Sequence, residues 1–283
     1  MNNELYVNNL TTRDNGLVIT VGNYKGGAGK TSNSILIAYQ LSKLGIKTLV
    51  TDLAPQTNVT KALLLTKSAN DPHNINTVNK TIMYGVANKD FTDLPVKILD
   101  NLYLLPSFTD FQDFPKYVYQ HTPKAYDEAL ILKPLIEPLK YNFKIILLDV
   151  PPMSKEVTEN AVVASDYTFI SLQTQERSLT GAENYVNDLL RYKDAYSLDI
   201  DILGILPVLQ NKSGSDDKAM LDAAKQAFGA DLVFRTVIPH MERIKRFDIT
   251  GISNRDRFDK KVMEKYQNVT QEFLQKIYES EHS

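Results

Sequence analysis

The feature that most constrains the fold is a glycine-rich loop between an apolar run and a helical pattern. Residues 17–21 (LVITV) are typical of a buried strand, and residues 24–31 (YKGGAGKT) follow them. Residues 31–44 have a helical pattern that closes at Gly45. Glycines let backbone N–H groups converge on phosphate oxygens, and a helix N-terminus adds positive potential. The sequence therefore predicts a phosphate-binding loop at residues 24–31.

The residue types in this loop predict the binding of ATP with Mg²⁺. Lys30 would reach the β- and γ-phosphates, and the Thr31 hydroxyl would bind the metal. In the usual pattern, G-x-x-x-x-G-K-[ST], the first glycine would stand at Tyr24, and position 25 here carries a second lysine. The residues expected to contact the nucleotide are Gly26, Gly27, Ala28, Gly29, Lys30, Thr31 and Ser32.

Further apolar runs alternate with helical patterns along the chain. The predicted strands lie at 47–51, 102–105, 143–148, 167–172, 202–209 and 233–238, and further helices lie at 178–196 and 216–228. This alternation predicts an α/β fold, a doubly wound and mostly parallel sheet with helices on both faces. We expect surface helices and loops at 68–141. We expect one domain over 17–283, preceded by an N-terminal arm at 1–16.

Composition excludes several classes of function. The chain has no cysteine, which rules out disulfides, thiolate catalysis, iron–sulfur clusters and cysteine-based zinc sites. The net charge is −2, so any nucleic-acid binding must come from a local basic patch. No signal peptide or membrane-spanning run is evident, and we expect a cytoplasmic protein.

Three segments carry a family resemblance. KGGAGKT at 25–31 resembles the deviant Walker A motif of the ParA/MinD family of dimeric ATPases. TDLAPQTNVT at 51–60 is similar to the family's D-x-D-P-Q-x-N-x-T segment, and ILLDVPP at 146–152 resembles its Walker B motif. Further matches at 171–181 and 234–239 extend the resemblance to about residues 17–60 and 143–257. The middle and the C-terminus of the chain match poorly.

The resemblance implies roles for individual residues. Lys25 would reach across a two-fold interface to the nucleotide of the other subunit, as an extra cation near the γ-phosphate. Thr31, Asp52 and Asp149 would hold or support Mg²⁺. The resemblance also implies an adenine pocket between two late strands, formed by Asn211 and Pro239.

One position departs from the family pattern. The second aspartate of D-x-D-P-Q positions the attacking water in the family, and here Ala54 occupies its place. The flanking Pro55, Gln56 and Asn58 follow the pattern. A methyl group cannot orient or deprotonate water, so we expect strongly impaired hydrolysis with intact nucleotide binding.

A basic segment follows the last predicted strand. Residues 235–261 contain eight basic and four acidic residues. Arg243 and Arg246 would share a face if this segment is helical. Such a patch suits phosphate contact without base recognition, and the resemblance implies non-specific DNA binding in this region. The predicted DNA-contacting residues are Arg243, Lys245, Arg246, Arg255 and Arg257.

The resulting hypothesis is a homodimeric DNA-partition ATPase of the compact ParA type, without an N-terminal helix-turn-helix domain. It would bind nucleoid DNA in the ATP state and would be released by a centromere-binding, ParB-like partner. A MinD-like membrane cycler is the main alternative, but residues 262–283 carry two lysines and four glutamates, a poor anchor on anionic lipid. A small-molecule ligase on the same scaffold is a third possibility, for which the sequence offers no second-substrate signature.

Overall fold

A seven-stranded sheet forms the centre of the protein, seen here in a computed structural model that describes residues 2–71, 78–152, 154–174, 176–208 and 215–282. The strands are β1 (Leu17–Gly22), β2 (Thr48–Asp52), β3 (Val96–Leu99), β4 (Leu102–Leu105), β5 (Ile145–Asp149), β6 (Tyr167–Gln173) and β7 (Asp201–Val208). Their order is β3-β4-β2-β5-β1-β6-β7, and all neighbours are parallel except β3 and β4. The predicted mostly parallel sheet is confirmed.

Helices cover both faces of this sheet. They are α1 (Asn2–Thr11), α2 (Lys30–Lys43), α3 (Asn58–Asn70), α4 (Ile82–Asn88), α5 (Phe114–His121), α6 (Lys133–Ile136), α7 (Lys155–Val163), α8 (Glu176–Tyr196), α9 (Ser215–Phe228), α10 (Glu242–Thr250) and α11 (Arg257–Glu281). Short 3₁₀ helices occupy Thr109–Asp113, Ala125–Leu130 and Glu137–Tyr141.

Successive side chains of β1 point to opposite faces of the sheet, so the core has two sides. Ile19 packs with α2, α3 and α11, whereas Val18 packs with the helices of the middle segment, including α4 and α7. A third cluster joins β6 and β7 to α8 and α9. Because both faces are covered, the central strands are apolar on both sides, as their sequences predicted.

Two edge elements differ from the sequence prediction. Residues 233–238 were expected to form a strand, and the prediction is wrong: only two isolated bridges, Ile205 to Val233 and Val208 to Ile238, connect this segment to β7. The Glu272 carboxylate accepts hydrogen bonds from the N–H groups of Arg235 and Thr236, which replaces the ladder a strand would need. At the opposite edge, β3 was not predicted. It is a four-residue antiparallel strand in which Lys97 is exposed and only Ile98 is buried.

The N-terminal segment, expected to be an arm, contains the helix α1. Leu10 is buried in the main core, and the Tyr6 ring lies 5.3 Å from the ring of Tyr278 on α11. Arg13, just after the end of α1, forms an ion pair with Glu281, the last residue of α11. These contacts fasten the start of the described chain to its last helix.

The carboxyl ends of the central strands bring polar side chains to one edge. Asp52, the last residue of β2, is in register with Asp149, the last residue of β5, and Val21 of β1 is in register with Asp149 on its other side. The loop between β1 and α2 begins at this edge. No helix in the described part of the chain is both long and apolar enough to cross a lipid bilayer.

Candidate nucleotide site

A cavity of about 560 Å³ opens where β1, β2 and β5 end. The glycine loop forms its floor, and the start of α10 forms one wall. Its lining includes all seven residues predicted to contact the nucleotide, together with Ala54, Gln56, Asn58, Asp149, Pro151, Pro152, Pro239, His240, Met241, Ile244, Lys245 and Asp248. With Gln173 and Val208, which also line it, the cavity brings together residues from six separate parts of the sequence.

The loop has the backbone geometry that anion binding needs. Gly27 and Gly29 have φ angles of 75° and 87°, in the left-handed region that favours glycine. Beneath the loop, the Ser171 hydroxyl donates a hydrogen bond to the carbonyl of Ala28. Helix α2 begins immediately after Gly29, so its unpaired N–H groups lie at the cavity.

Lys30 is buried, with 6% of its surface exposed, and its ammonium group stays close to the loop. Its Nζ donates to the carbonyls of Asn23 at 2.8 Å and of Lys25 at 3.2 Å. Burial lowers the pKa of Lys30, and the Asp149 charge opposes this effect. The ammonium lies among acceptors that a bound phosphate could replace.

Two hydroxyl groups contact the Asp149 carboxylate. Thr31 Oγ1 donates to Oδ2 at 2.8 Å, and Ser34 Oγ donates to Oδ1 at 2.8 Å. Burial raises the pKa of Asp149, while the bonds from Ser34 and Thr31 and the charge of Lys30 act to lower it. Sequence analysis missed Ser34, although it lies one turn after Thr31 on α2 and so faces the same way. A hydroxyl and a carboxylate in one cavity wall are a donor set that fits Mg²⁺.

Asp52 lies deeper than Asp149 and is fully buried. Its carboxylate accepts from Thr60 N at 2.9 Å, Thr60 Oγ1 at 2.7 Å and Ala54 N at 3.2 Å. Burial raises the pKa of Asp52 to about 7, against the lowering effect of these bonds. Asp52 does not line the cavity, so in this conformation it fixes the segment 54–60 and lies beside Asp149 in the sheet.

Ala54 lies on the cavity wall, with 7% of its surface exposed. The Asp52 carboxylate holds its N–H, and its carbonyl accepts from Thr57 N at 3.1 Å, which fixes the backbone at this position. Ala54 lines the same cavity as Lys30 and Thr31. The place predicted for a water-positioning carboxylate is thus occupied by an apolar group.

Lys25 has a different environment from Lys30. It does not line the cavity of its own chain, and its ammonium has no ion pair or hydrogen bond within the described ranges. Its backbone N–H donates to Asn23 Oδ1 at 2.8 Å, and a Cβ added to Gly181 of α8 would lie only 3.2 Å from that nitrogen. Next to it, Tyr24 OH donates to Asp188 Oδ2 at 2.6 Å. The backbone of Lys25 is therefore fixed against α8, while its side chain remains available.

Of the two residues predicted to contact the base, Pro239 lines the cavity beside His240 and Met241. Asn211 lies outside the described residues. Val208, at the end of β7, and Gln173, at the end of β6, also line this part of the cavity. The sequence did not single out these two strand-end residues.

The basic segment forms α10 and the beginning of α11, so Arg243 and Arg246 do share a helix. Arg243 is directed inward: its Nε lies 2.6 Å from Asp259 Oδ1, it pairs with Asp256, and its side chain is 14% exposed. Burial acts to raise the pKa of Asp259, but the Ser253 hydroxyl, the Arg255 N–H and Arg243 outweigh it, and the pKa is lowered.

The other predicted DNA-contacting residues lie at the surface. Lys245, Arg246, Arg255 and Arg257 are exposed. Arg255 donates to the carbonyl of Ala69 at 3.0 Å, and Arg257 lies over the Phe258 ring. Lys245 also lines the nucleotide cavity, so α10 borders both the cavity and the basic surface.

Comparison with known proteins identifies relatives of this chain. A family model described as "AAA domain" matches residues 16–202. The sporulation initiation inhibitor protein Soj of Bacillus subtilis is 27% identical over 81% of this chain and 86% of its own length. The chromosome partitioning protein ParA of Caulobacter vibrioides is 25% identical, over 80% and 82%.

Two solved structures share the fold. The apo form of McdA from Cyanothece superposes with a TM-score of 0.75 at 20% identity, covering 91% of this chain and 99% of McdA. Cobyrinic acid a,c-diamide synthase from Mycobacterium smegmatis, with a bound ATP analog and magnesium, gives a TM-score of 0.73 at 19% identity, covering 90% and 92%. The chain belongs to the family that this AAA domain model describes and, within it, to the ParA family of partition ATPases.

Proposed function

We propose that this protein is a DNA-partition ATPase that binds ATP with Mg²⁺, closes into a dimer around the nucleotide and then binds DNA without sequence preference. The observation that carries the proposal is the cavity in which the glycine loop, the Thr31–Asp149 pair and Ala54 meet. The ParA relative from Caulobacter vibrioides is a chromosome partitioning protein by name, and this supports a partition role for this chain.

The chemistry of the site follows from its residues. The backbone N–H groups of the loop and Lys30 would bind the phosphates, and Thr31 and Asp149 would hold Mg²⁺, with Asp52 behind them. Mg²⁺, when bound, would neutralise charge on the β- and γ-phosphates. Pro239 and Met241 would contact the base or the ribose at the other end of the cavity.

Hydrolysis would be slow in this protein. Ala54 supplies no proton acceptor where the family places an aspartate, and general-base groups contribute about 10²–10⁴-fold to rates. Asp149 is engaged by Thr31 and Ser34, so it is not free to orient water in the same way. ATP would bind and remain bound, which would prolong the closed state.

Dimerisation would depend on Lys25. Its ammonium is unpaired within the described ranges and lies outside the cavity of its own chain. It could therefore contact a triphosphate that is bound to a second copy. A cation brought from the partner would neutralise the γ-phosphate, which favours association only when ATP is present. This dependence on ATP couples the nucleotide to the oligomeric state.

The DNA-binding surface would consist of the exposed side chains on α10 and early α11. Lys245, Arg246, Arg255 and Arg257 are available for phosphate contact, whereas Arg243 would act by holding α10 against α11. Pairing of two such surfaces in a dimer would give affinity for nucleoid DNA in the cytoplasm. A centromere-binding, ParB-like protein would control release.

A direct test is fluorescence anisotropy of a labelled double-stranded DNA of arbitrary sequence. We expect binding with ATP and Mg²⁺ and weak binding with ADP or without nucleotide. The logarithm of the affinity should fall linearly with the logarithm of salt concentration, with a slope of about 0.9 per phosphate contacted. Equal binding in all nucleotide states, or strong preference for one sequence, would contradict the proposal.

The membrane-cycling alternative has less support. Val262, Tyr266, Phe273 and Ile277, four apolar residues of α11, are buried in the core and so are not available to lipid. A small-molecule ligase remains a possible use of this fold, given the likeness to cobyrinic acid a,c-diamide synthase. The likeness at 19% identity concerns the fold, and a second copy of the chain accounts for Lys25 better than a second substrate does.

A further inference from the structure

The phosphate loop rests on a chain of buried polar groups that leads away from the cavity. Tyr266 OH on α11 donates to Asn33 Oδ1 on α2 at 2.7 Å, and Asn33 Nδ2 donates to Ser171 Oγ on β6 at 2.8 Å. Ser171 Oγ in turn donates to the carbonyl of Ala28 in the loop. Tyr266 is 1% exposed, and Asn33 and Ser171 are fully buried. Three elements that are distant in sequence thus meet beneath the loop.

The last hydrogen bond of this series, from Ser171 to Ala28, determines the direction in which an N–H group of the loop points. Every peptide bond that the structure describes is trans, so the carbonyl of Ala28 and the N–H of Gly29 point in opposite directions. The carbonyl points down to Ser171, and the N–H therefore points up, toward the cavity that Gly29 lines. Phosphate binding by such loops depends on N–H groups with this orientation.

The first hydrogen bond, from Tyr266 to Asn33, determines the donor-to-acceptor direction of the hydrogen bonds that follow it. If the Asn33 amide were reversed, its oxygen would face Ser171, and the serine hydroxyl could donate there and leave Ala28. The reversed amide would also leave the Tyr266 O–H without an acceptor within the described ranges, and an unpaired buried donor is unfavourable. The phenol of Tyr266 therefore favours the amide orientation in which Ser171 donates to the loop.

We propose that Tyr266 is a positioning residue for nucleotide binding, which acts through Asn33 and Ser171 to hold the Gly29 N–H toward the phosphates. The inference rests on the proposed binding of ATP at the loop. It gives the C-terminal helix a part in nucleotide affinity, although no residue of α11 lines the cavity.

The test is a set of variants titrated with ATPγS and Mg²⁺ by calorimetry, with thermal melting measured in parallel. Tyr266→Phe keeps the ring and removes the hydroxyl, and we expect nucleotide affinity to fall roughly three- to tenfold, the range of a single hydrogen bond. Ser171→Ala should lower affinity at least as much. The double variant should bind about as well as Ser171→Ala alone, because both changes break one chain.

Tyr185→Phe is the matched control. Tyr185 is 1% exposed, and its hydroxyl bonds to Thr168 Oγ1 at 2.9 Å, also on β6. Its loss should lower the melting temperature about as much as Tyr266→Phe does, with nucleotide affinity within about twofold of the wild type. A purely structural role for Tyr266 predicts instead that both variants have the same affinity.

The outcomes separate the inference from the function on which it rests. A folded Tyr266→Phe variant with unchanged affinity overturns the inference, as does a double variant whose loss is the product of the two single losses. If Tyr266→Phe does not fold, Asn33→Ala breaks the middle of the chain and decides by the same criterion. A wild-type protein that does not bind ATPγS overturns the proposed nucleotide binding, and the inference with it.

Discussion

Arg243 Nε lies 2.6 Å from Asp259 Oδ1, and this ion pair joins α10 to α11. The Asp259 side chain is 2% exposed and also accepts from Ser253 Oγ and Arg255 N. Arg243 therefore stabilises the surface that Arg246 exposes, and the two arginines, three residues apart on one helix, have different roles.

Alanine substitutions at these two arginines should separate stability from DNA binding. Arg243→Ala leaves Asp259 buried without its partner, and we expect a loss on the order of 3 kcal/mol in the free energy of unfolding. Arg246→Ala should change that free energy by less than about 0.5 kcal/mol and weaken binding to all DNA sequences alike, with a salt slope smaller by about 0.9. Urea denaturation and DNA anisotropy measure the two effects. Loss of DNA affinity in a fully stable Arg243→Ala variant would show that Arg243 contacts DNA itself.

Ala54→Asp should activate hydrolysis. The backbone at position 54 is held by Asp52 and Thr57, so an aspartate would project into the cavity from a fixed point. We expect phosphate release to rise about 10²–10⁴-fold, with little change in ATP affinity. Ala54→Asn, which has nearly the same shape and no basic oxygen pair, should remain slow. Brisk turnover by the wild type, or an equal rate in the Asp and Asn variants, would contradict the role given to this position.

The buried Asp52 should make the stability of the nucleotide-free protein depend on pH. Its pKa is raised to about 7 by burial, whereas an unfolded aspartate has a pKa near 3.9. Between these values the folded state holds a proton that the unfolded state has released, so stability falls as pH rises from about 4 to 7. Asp52→Asn should reduce this slope by up to about 1.4 kcal/mol per pH unit. Urea midpoints at pH 5 and pH 7 measure it, and parallel pH curves for the two proteins would argue that Asp52 does not titrate there.

Much of the fold and the loop could be predicted because local signals agreed. The apolar runs at 17–21 and 143–148 are long and buried on both sides, and the glycines at 27 and 29 adopt the positive φ angles expected of a phosphate loop. The segment 233–238 is also largely apolar but is not a strand. Glu272, distant in sequence, takes its N–H groups, and no local pattern reveals that competition.

The residues that support the site could not be predicted from the sequence, for the same reason. Ser171, Asn33 and Tyr266 are ordinary polar residues in strand and helix patterns, and only the tertiary fold places them in one line beneath Ala28. A count of charges treats Arg243 as a basic side chain that is free to bind DNA. In that count Asp256 and Asp259 only reduce the net charge of the segment, and nothing in it shows that both pair with Arg243. A count of charges does not show which way a side chain points.

The central claim is that Lys25 acts on the nucleotide of a second protomer, whereas Lys30 acts on that of its own. Sedimentation velocity of the wild type, Lys25→Ala and Lys30→Ala, each with and without ATP and Mg²⁺, tests this most directly. The account predicts an ATP-dependent dimer for the wild type, a monomer that still binds ATP for Lys25→Ala, and a monomer that has lost ATP binding for Lys30→Ala. A wild type that stays monomeric with ATP bound, or a Lys25→Ala variant that dimerises normally, would contradict it.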